Sequence, residues 1–313
     1  MARRAARLFP GHGARRMSTS TLAFEEMEDN AAHSKEKTVM FLHGLLGSAR
    51  NWRGFAKRLQ YAIDPAWRIV MVDLRNHGQS GELELSPPHD IPAAARDVAD
   101  LIRARPELHP DVLVGHSMGG KVTLEFAKSS MERKYGSMTV PRQLWVLDSV
   151  VGEVPIKNEE GEVERVLETI RTLPQVIPSR RWLVERMQEL GFSKGLANWL
   201  GSNLKAISPG SEESKWVFNF DGAYSMFTSY RKMDYWSLLE NPPAGSDIGI
   251  VRAGRSDRWT PEIIARLEEL SRAAPEDGRR GSVTYRVLEN AGHWVHADNP
   301  EGLLELLLPS FQS

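Results

Sequence analysis

Short apolar runs, each about one strand long, alternate with segments of helical periodicity over most of this chain. The runs are Thr38 to Leu42, Ile69 to Val72, Val112 to Val114, Leu144 to Leu147, Ile248 to Val251 and Val283 to Leu288. They are apolar at successive rather than alternate positions, so each strand must be covered on both faces, as inside a parallel sheet. Between them, Asn51 to Leu59, Ile91 to Ala104, Lys121 to Lys128, Pro261 to Ser271 and Pro300 to Phe311 have helical spacing. Thr260 and Asn299 stand where the last two helices need N-caps. This alternation predicts an α/β domain with a mostly parallel sheet flanked by helices. It breaks from Val151 to Leu239, where no clear strand is visible and aromatics such as Trp182, Trp199, Trp216, Phe227 and Tyr230 are dense. That stretch is expected to be a helical cap. The organisation is then an unpacked 1–35, a core of 36–150 and 240–313, and a cap of 151–239.

Composition narrows the function classes. Lysine plus arginine (40) nearly balances aspartate plus glutamate (41), so no strong field points to nucleic acid as a partner. The chain has no cysteine, which excludes disulfides, thiolate nucleophiles and cysteine-ligated metals. Its longest leucine-rich run, Leu303 to Leu308, falls far short of the roughly 20 residues of a transmembrane helix. The first 20 residues contain Arg3, Arg4, Arg7, Arg15 and Arg16, with Ser18 and Ser20 and no acid before Glu25. This pattern is that of an organellar transit peptide; the plainer reading is an unpacked basic tail. The expected destination is the mitochondrion, with plastid, or cytoplasm if the segment is kept, as alternatives.

Gly115-His116-Ser117-Met118-Gly119-Gly120 follows the strand Val112 to Val114 and precedes a helix. A strand, G-x-S-x-G, helix order is the context of a nucleophile elbow, a strained turn that lifts a serine hydroxyl above the sheet. Glycines at 115 and 119 remove side chains that would collide with the neighbouring strand and helix. A serine nucleophile needs a base, and in this chain order the base comes last. His293 follows the last strand; His296, three residues on, is its rival. His43, His77 and His116 are expected to brace loops. The oxyanion that forms during acyl transfer needs two backbone donors. Met118 N–H, directly after the serine, is one candidate, and Leu45 N–H in the loop His43-Gly44-Leu45-Leu46-Gly47 is the other.

The acid that would orient the imidazole is ambiguous. Asp148 follows the strand Leu144 to Leu147, and Asp257 follows Ile248 to Val251. Both lie past the carboxyl end of a parallel strand, where such sheets place their sites. Asp221, inside the cap, is a more distant third.

Five blocks carry a resemblance: His43-Gly44-Leu45-Leu46-Gly47-Ser48, Asn51-Trp52, Asp73-Leu74-Arg75-Asn76-His77-Gly78-Gln79-Ser80, Gly115 to Lys121, and Gly292-His293-Trp294-Val295-His296-Ala297-Asp298. Together they resemble the α/β-hydrolase domain-containing protein 11 family and related bacterial esterases, over about residues 38 to 311. The resemblance implies an α/β-hydrolase fold with a helical cap, and a serine esterase or thioesterase acting on acyl esters without metal or organic cofactor. In bacterial relatives the acid follows the strand after the nucleophile helix, which corresponds to Asp148; the general fold rule favours Asp257. Arg75, Asn76 and His77 match a block of the family but are expected to brace a loop rather than to take part in catalysis. Three other functions share the fold: carbon–carbon bond hydrolysis on the same triad, dehalogenase or epoxide hydrolase chemistry, which uses aspartate in place of Ser117, and a binding role beside an organellar protein partner.

Overall fold

The computed structural model describes residues 21–28, 35–155, 162–273 and 281–312. The basic segment read as a transit peptide lies outside them.

Seven strands form the central sheet: β1 (Phe24–Glu26), β2 (Lys37–Leu42), β3 (Trp67–Val72), β4 (Val112–His116), β5 (Gln143–Leu147), β8 (Asp247–Ala253) and β9 (Ser282–Leu288). Their order is β1-β3-β2-β4-β5-β8-β9, parallel except for β1. The expected core strands are all present, most of them extended by a residue or two at their ends. Each strand sends alternate side chains to opposite faces. Met40, Leu42, Val70, Val72 and Leu113 pack with α2 (Ile91–Ala104) and α3 (Met118–Met131) on one face. Val39, Phe41, Ile69, Met71, Val112 and Val114 pack with α1 (Arg53–Ala62) and, on the far side of the chain, Leu303, Leu307 and Phe311 on the other. This two-sided burial is why the strands read as continuous apolar runs.

The N-terminal expectation needs correction. Residues 1–35 are not unpacked throughout: β1 pairs with β3, Phe24 opposite Val72, and Leu22 is 1% exposed within the core. The strand lacks an apolar signature because it lies at the sheet edge. Its Glu25 and Glu26 pair with Arg53 (2.6 Å) and Arg68 (3.0 Å).

Between β5 and β8 the chain forms α4 (Glu162–Thr172), α5 (Arg180–Glu189), α6 (Lys194–Gly201), α7 (Phe220–Lys232) and α8 (Trp236–Glu240). Ser179, Ser193 and Asn219 cap α5, α6 and α7 through their side chains. Leu183, Met187, Leu196 and Leu200 build a separate apolar cluster that takes in Leu46 from the core. Here too the expectation is corrected, because the stretch contains strands. β6 (Leu204–Ala206) pairs antiparallel with β7 (Ser214–Trp216). Met226, Tyr230, Tyr235, Leu238 and Leu239 pack into the core's own cluster, so the end of this segment belongs to the base of the molecule as much as to its roof.

Candidate active site

The sheet register sets the site. Leu42 aligns with Gly115, His116 with Leu147, and Leu147 with Val251, so β2, β4, β5 and β8 end at nearly the same level. His43, Ser117 and Asp148 are the residues that follow the first three of these strands.

Ser117 sits between β4 and α3 at φ 53° and ψ −119°, a left-handed backbone that L residues avoid. The turn is held by Ser117 N–H donating to Leu147 O at 2.9 Å and by Gly120 N–H donating to Ser117 O at 2.8 Å. It is passable only with glycine around it. A Cβ on Gly115 would come within 2.1 Å of Gly119 O, and one on Gly119 within 2.6 Å of the carbonyl oxygens of Leu42 and His43. Strain of this kind persists where surrounding structure over-determines it.

After α9 (Pro261–Arg272) and β9, His293 lies in the loop that leads to the short helix α10 (Val295–Asp298). Its Nε2 is 3.1 Å from Ser117 Oγ, and its Nδ1 is 2.7 Å from Asp148 Oδ2. The carboxylate accepts from Nδ1–H, which leaves Nε2 to accept the serine proton. Asp148 is itself at φ 44° and buried. Its other oxygen accepts from Trp259 Nε1 (2.8 Å) and Ala253 N–H (3.1 Å). Burial pushes this carboxyl up, but the bonds from His293, Trp259 and Ala253 and the charge of His293 outweigh it and hold the group below the usual aspartate range.

Asp257 is placed differently. It is exposed on the wall of the cavity above Ser117, while Asp148 takes the imidazole. Asp221 is exposed in the first turn of α7. His296 stacks on Trp52 with ring centres 4.5 Å apart, and burial pushes it down to about 4. His43 Nδ1–H donates to Gly44 O (2.7 Å), and its Nε2 accepts from Leu74 N–H (3.0 Å). His77 Nδ1–H donates to Arg75 O at 2.8 Å. Both are buried loop braces, burial pushing them to about 4 and about 3.

Leu45 and Met118 both line the cavity beside Ser117. Among the described residues, neither N–H donates in the backbone bonds of the loops and turns. Met118 also begins α3, whose first N–H groups have no partner inside the helix. The loop that carries Leu45 is anchored from behind by Asp73, which accepts from Ala49 N–H (2.7 Å) and Gln79 N–H (2.8 Å).

Trp259 and the burial of Lys121 escape sequence reasoning, while His116 braces a loop as its position at a strand end led one to expect. Trp259 Nε1–H fixes one oxygen of Asp148. His116 Nε2–H donates to His293 O at 2.6 Å, fastening the base's loop to the elbow. Lys121 is buried, and its ammonium donates to the carbonyls of Gly152 (2.7 Å), Tyr230 (2.7 Å) and Met233 (2.8 Å). Burial pushes the amine down to about 7, whereas three acceptors suit the three donors of an ammonium. Lys121 stood in the sequence only as the last residue of the block Gly115 to Lys121, and nothing local marked its burial.

The cavity above Ser117 has a volume of about 450 Å³. The core lines it with Leu45, Met118 and His293, and the cap segment with Val163, Val166, Leu196, Trp199, Phe227 and Tyr230. Among the described residues no group of three His, Cys, Asp or Glu side chains is placed to hold a metal, and no helix is long and apolar enough to cross a membrane.

A mostly parallel sheet with a serine on a strained strand-to-helix turn, joined to a histidine and an aspartate from later strand ends, defines the α/β-hydrolase class. A model of the alpha/beta hydrolase family matches residues 39–306, and the chain belongs to that family. The sn-1-specific diacylglycerol lipase ABHD11 of Xenopus tropicalis is 34% identical over 85% of this chain and 75% of its own length. The mouse protein of the same name is 28% identical over 85% and 78%. Esterase YbfF of Escherichia coli is 25% identical over 86% and 91%. Among solved structures, a marine microorganism esterase superposes with a TM-score of 0.70 at 19% identity, covering 92% of this chain and 98% of that one. The resemblance carried by the five sequence blocks is thus borne out.

Proposed function

We propose that Ser117 is the nucleophile, His293 the general base and Asp148 the orienting acid of this chain, with Leu45 and Met118 N–H as the oxyanion donors. The chain is a carboxylic ester hydrolase of the serine type. The observation that carries the assignment of roles is the continuous hydrogen-bonded line from Asp148 through His293 to Ser117, at the floor of the cavity.

Acyl transfer on this geometry runs in two halves. His293 Nε2 takes the Ser117 proton as Oγ attacks the carbonyl carbon, and Asp148 stabilises the imidazolium. The negative charge that builds on the carbonyl oxygen falls to the two amides and to the positive end of α3. His293 then gives its proton to the leaving alcohol or thiol. A water deprotonated by the same nitrogen attacks the acyl-enzyme, releasing the acid and restoring Ser117.

Relatives named as diacylglycerol lipases, and a cavity walled by Val163, Val166, Leu196 and Phe227, support an apolar acyl group as substrate, held as an oxygen ester or a thioester. The arginine-rich segment before residue 21 supports delivery to the mitochondrion. The first test is labelling with a fluorophosphonate. Wild type should label and Ser117→Ala should not. A folded wild type that stays unlabelled overturns the catalytic assignment, and the chain then becomes a binding protein beside an organellar partner. Fusing residues 1–35 to a fluorescent protein tests the destination; diffuse fluorescence would count against import.

A further inference from the structure

One wall of the cavity has no part in the acyl-transfer chemistry. It is the loop Arg255-Ser256-Asp257-Arg258 between β8 and α9, and both arginines line the cavity. Among the described residues, several other arginines are spoken for: Arg75 holds Asp97 at 2.7 Å, Arg231 holds Glu164 at 2.8 Å, and Arg252 donates to Tyr285 at 2.9 Å. Among the described residues, neither guanidinium of the loop has a hydrogen-bond or ion-pair partner. Arg258 is half-buried, whereas Arg255 is exposed. The charge of Arg258 is felt by buried His116, directly before Ser117, and by Tyr230, which also lines the cavity.

The loop presents these side chains from a fixed backbone. Gly254 N–H donates to Leu288 O and Arg255 N–H to Ala291 O, both at 2.9 Å. The next residue, Trp259, is buried and bonded to Asp148 at 2.8 Å. Arg258 is therefore held one residue from a group that is itself fixed to the hydrogen-bonded line. The wall is not basic as a whole, because Asp257 and Asp298 share it, with Asp298 already accepting from Gly292 N–H at 2.7 Å. A partner would thus be recognised by contact with the guanidinium fork, not by a long-range field.

We propose that Arg258 is a specificity-determining residue that binds an anionic group, carboxylate or phosphate, on the ester substrate. The substrate would then combine an apolar stretch against the cap with one anion near the scissile carbonyl. The anion can belong to either half of the ester: a terminal carboxylate on the acyl group, or a phosphate on the alcohol or thiol that leaves. This inference rests on Ser117 being the nucleophile.

Two substrate pairs separate the sources. 4-Nitrophenyl hemisuccinate against 4-nitrophenyl butyrate varies only the acyl end; butyryl-coenzyme A against ethyl thiobutyrate varies only the leaving group. Arg258→Met should lower the anionic-to-neutral ratio of kcat/KM at least about tenfold in one pair, mainly through KM, the size of a lost charge-assisted contact. Arg258→Lys should restore part of it, and Arg255→Met should act in the same direction but more weakly. An unchanged ratio in both pairs overturns the proposal. Binding gives a readout that does not depend on turnover. Ser117→Ala protein should bind monomethyl succinate or coenzyme A in calorimetry, and Ser117→Ala/Arg258→Met should lose that binding. Failure of the single variant to bind either anion also overturns the proposal, whereas binding without turnover in wild type would overturn only the catalytic roles.

Discussion

The ends of β5 and β8 are neighbours in the sheet, each followed by an aspartate, yet they have become different kinds of place. After β5, Asp148 is buried in a left-handed turn and is filled with donors from His293, Trp259 and Ala253. After β8, the chain turns outward, and Asp257 is exposed on the cavity wall between two arginines. The position of an acid at a strand's carboxyl end does not make it an orienting acid. What sets Asp148 apart is the convergence of donors from two segments, Ala253 with Trp259 and His293, onto a carboxylate shielded from water.

The largest test of that contrast is the pair of amide substitutions. Asp148→Asn should lower kcat by about 10⁴-fold while the protein remains folded, the size expected when an imidazole loses its anionic anchor. Asp257→Asn should fall by no more than about threefold. Equal losses at both positions, measured by steady-state kinetics and checked by circular dichroism, would erase the distinction.

Acid stability should separate the two regions next. His43, His77 and His116 are buried and His296 is half-buried near the ends of β2 and β4, and burial of the ring pushes each of them down. Below about pH 6.5 the unfolded chain takes up protons that the folded chain refuses, so the stabilisation is complete above that value and is lost as pH falls toward about 4. Each group adds a slope of about 1.4 kcal/mol per pH unit in that window. Asp148, held low, adds to the loss at still lower pH, as it falls through its native value. Urea unfolding at pH 7, 6 and 5 measures the slope; a flat profile would mean these imidazoles are protonated in the fold.

Trp259→Phe probes the link between the regions. It removes one donor from Asp148 while keeping the ring's bulk, and should cost about 1–2 kcal/mol of stability. The carboxyl should also titrate higher, so the acid limb of the kcat profile should move to higher pH. An unshifted limb would mean that Trp259 only packs. The smallest effect belongs to the exposed side: Asp257→Asn should change the unfolding free energy by about 0.5 kcal/mol or less.

The core was legible because its strands are apolar on both faces and end in glycine or polar residues, and the elbow because its order of strand, glycine, serine and glycine is dictated by sterics. The three-residue strands were not. β1 carries charged Glu25 and Glu26, and β6 and β7 carry Lys205 and Lys215, so edge exposure removed the apolar signal. Asp148 and Asp257 could not be separated by position alone, since both follow parallel strands. Trp259 was missed for a related reason, and His116 was read as a brace without its partner: each acts on a residue more than a hundred positions away, and no local pattern records that meeting.

The edge strand β1 also has a practical reach. Leu22 is sealed in the core, Ala23 N–H donates to Ser80 Oγ at 2.8 Å, and Asp73 N–H donates to Ala23 O at 2.9 Å. Asp73 is the same residue that anchors the loop of Leu45. A peptidase or a cloning boundary that trims this chain therefore has a hard stop just before Leu22. A cut at residue 35 would strip a strand from the sheet and slacken the support behind the loop of Leu45.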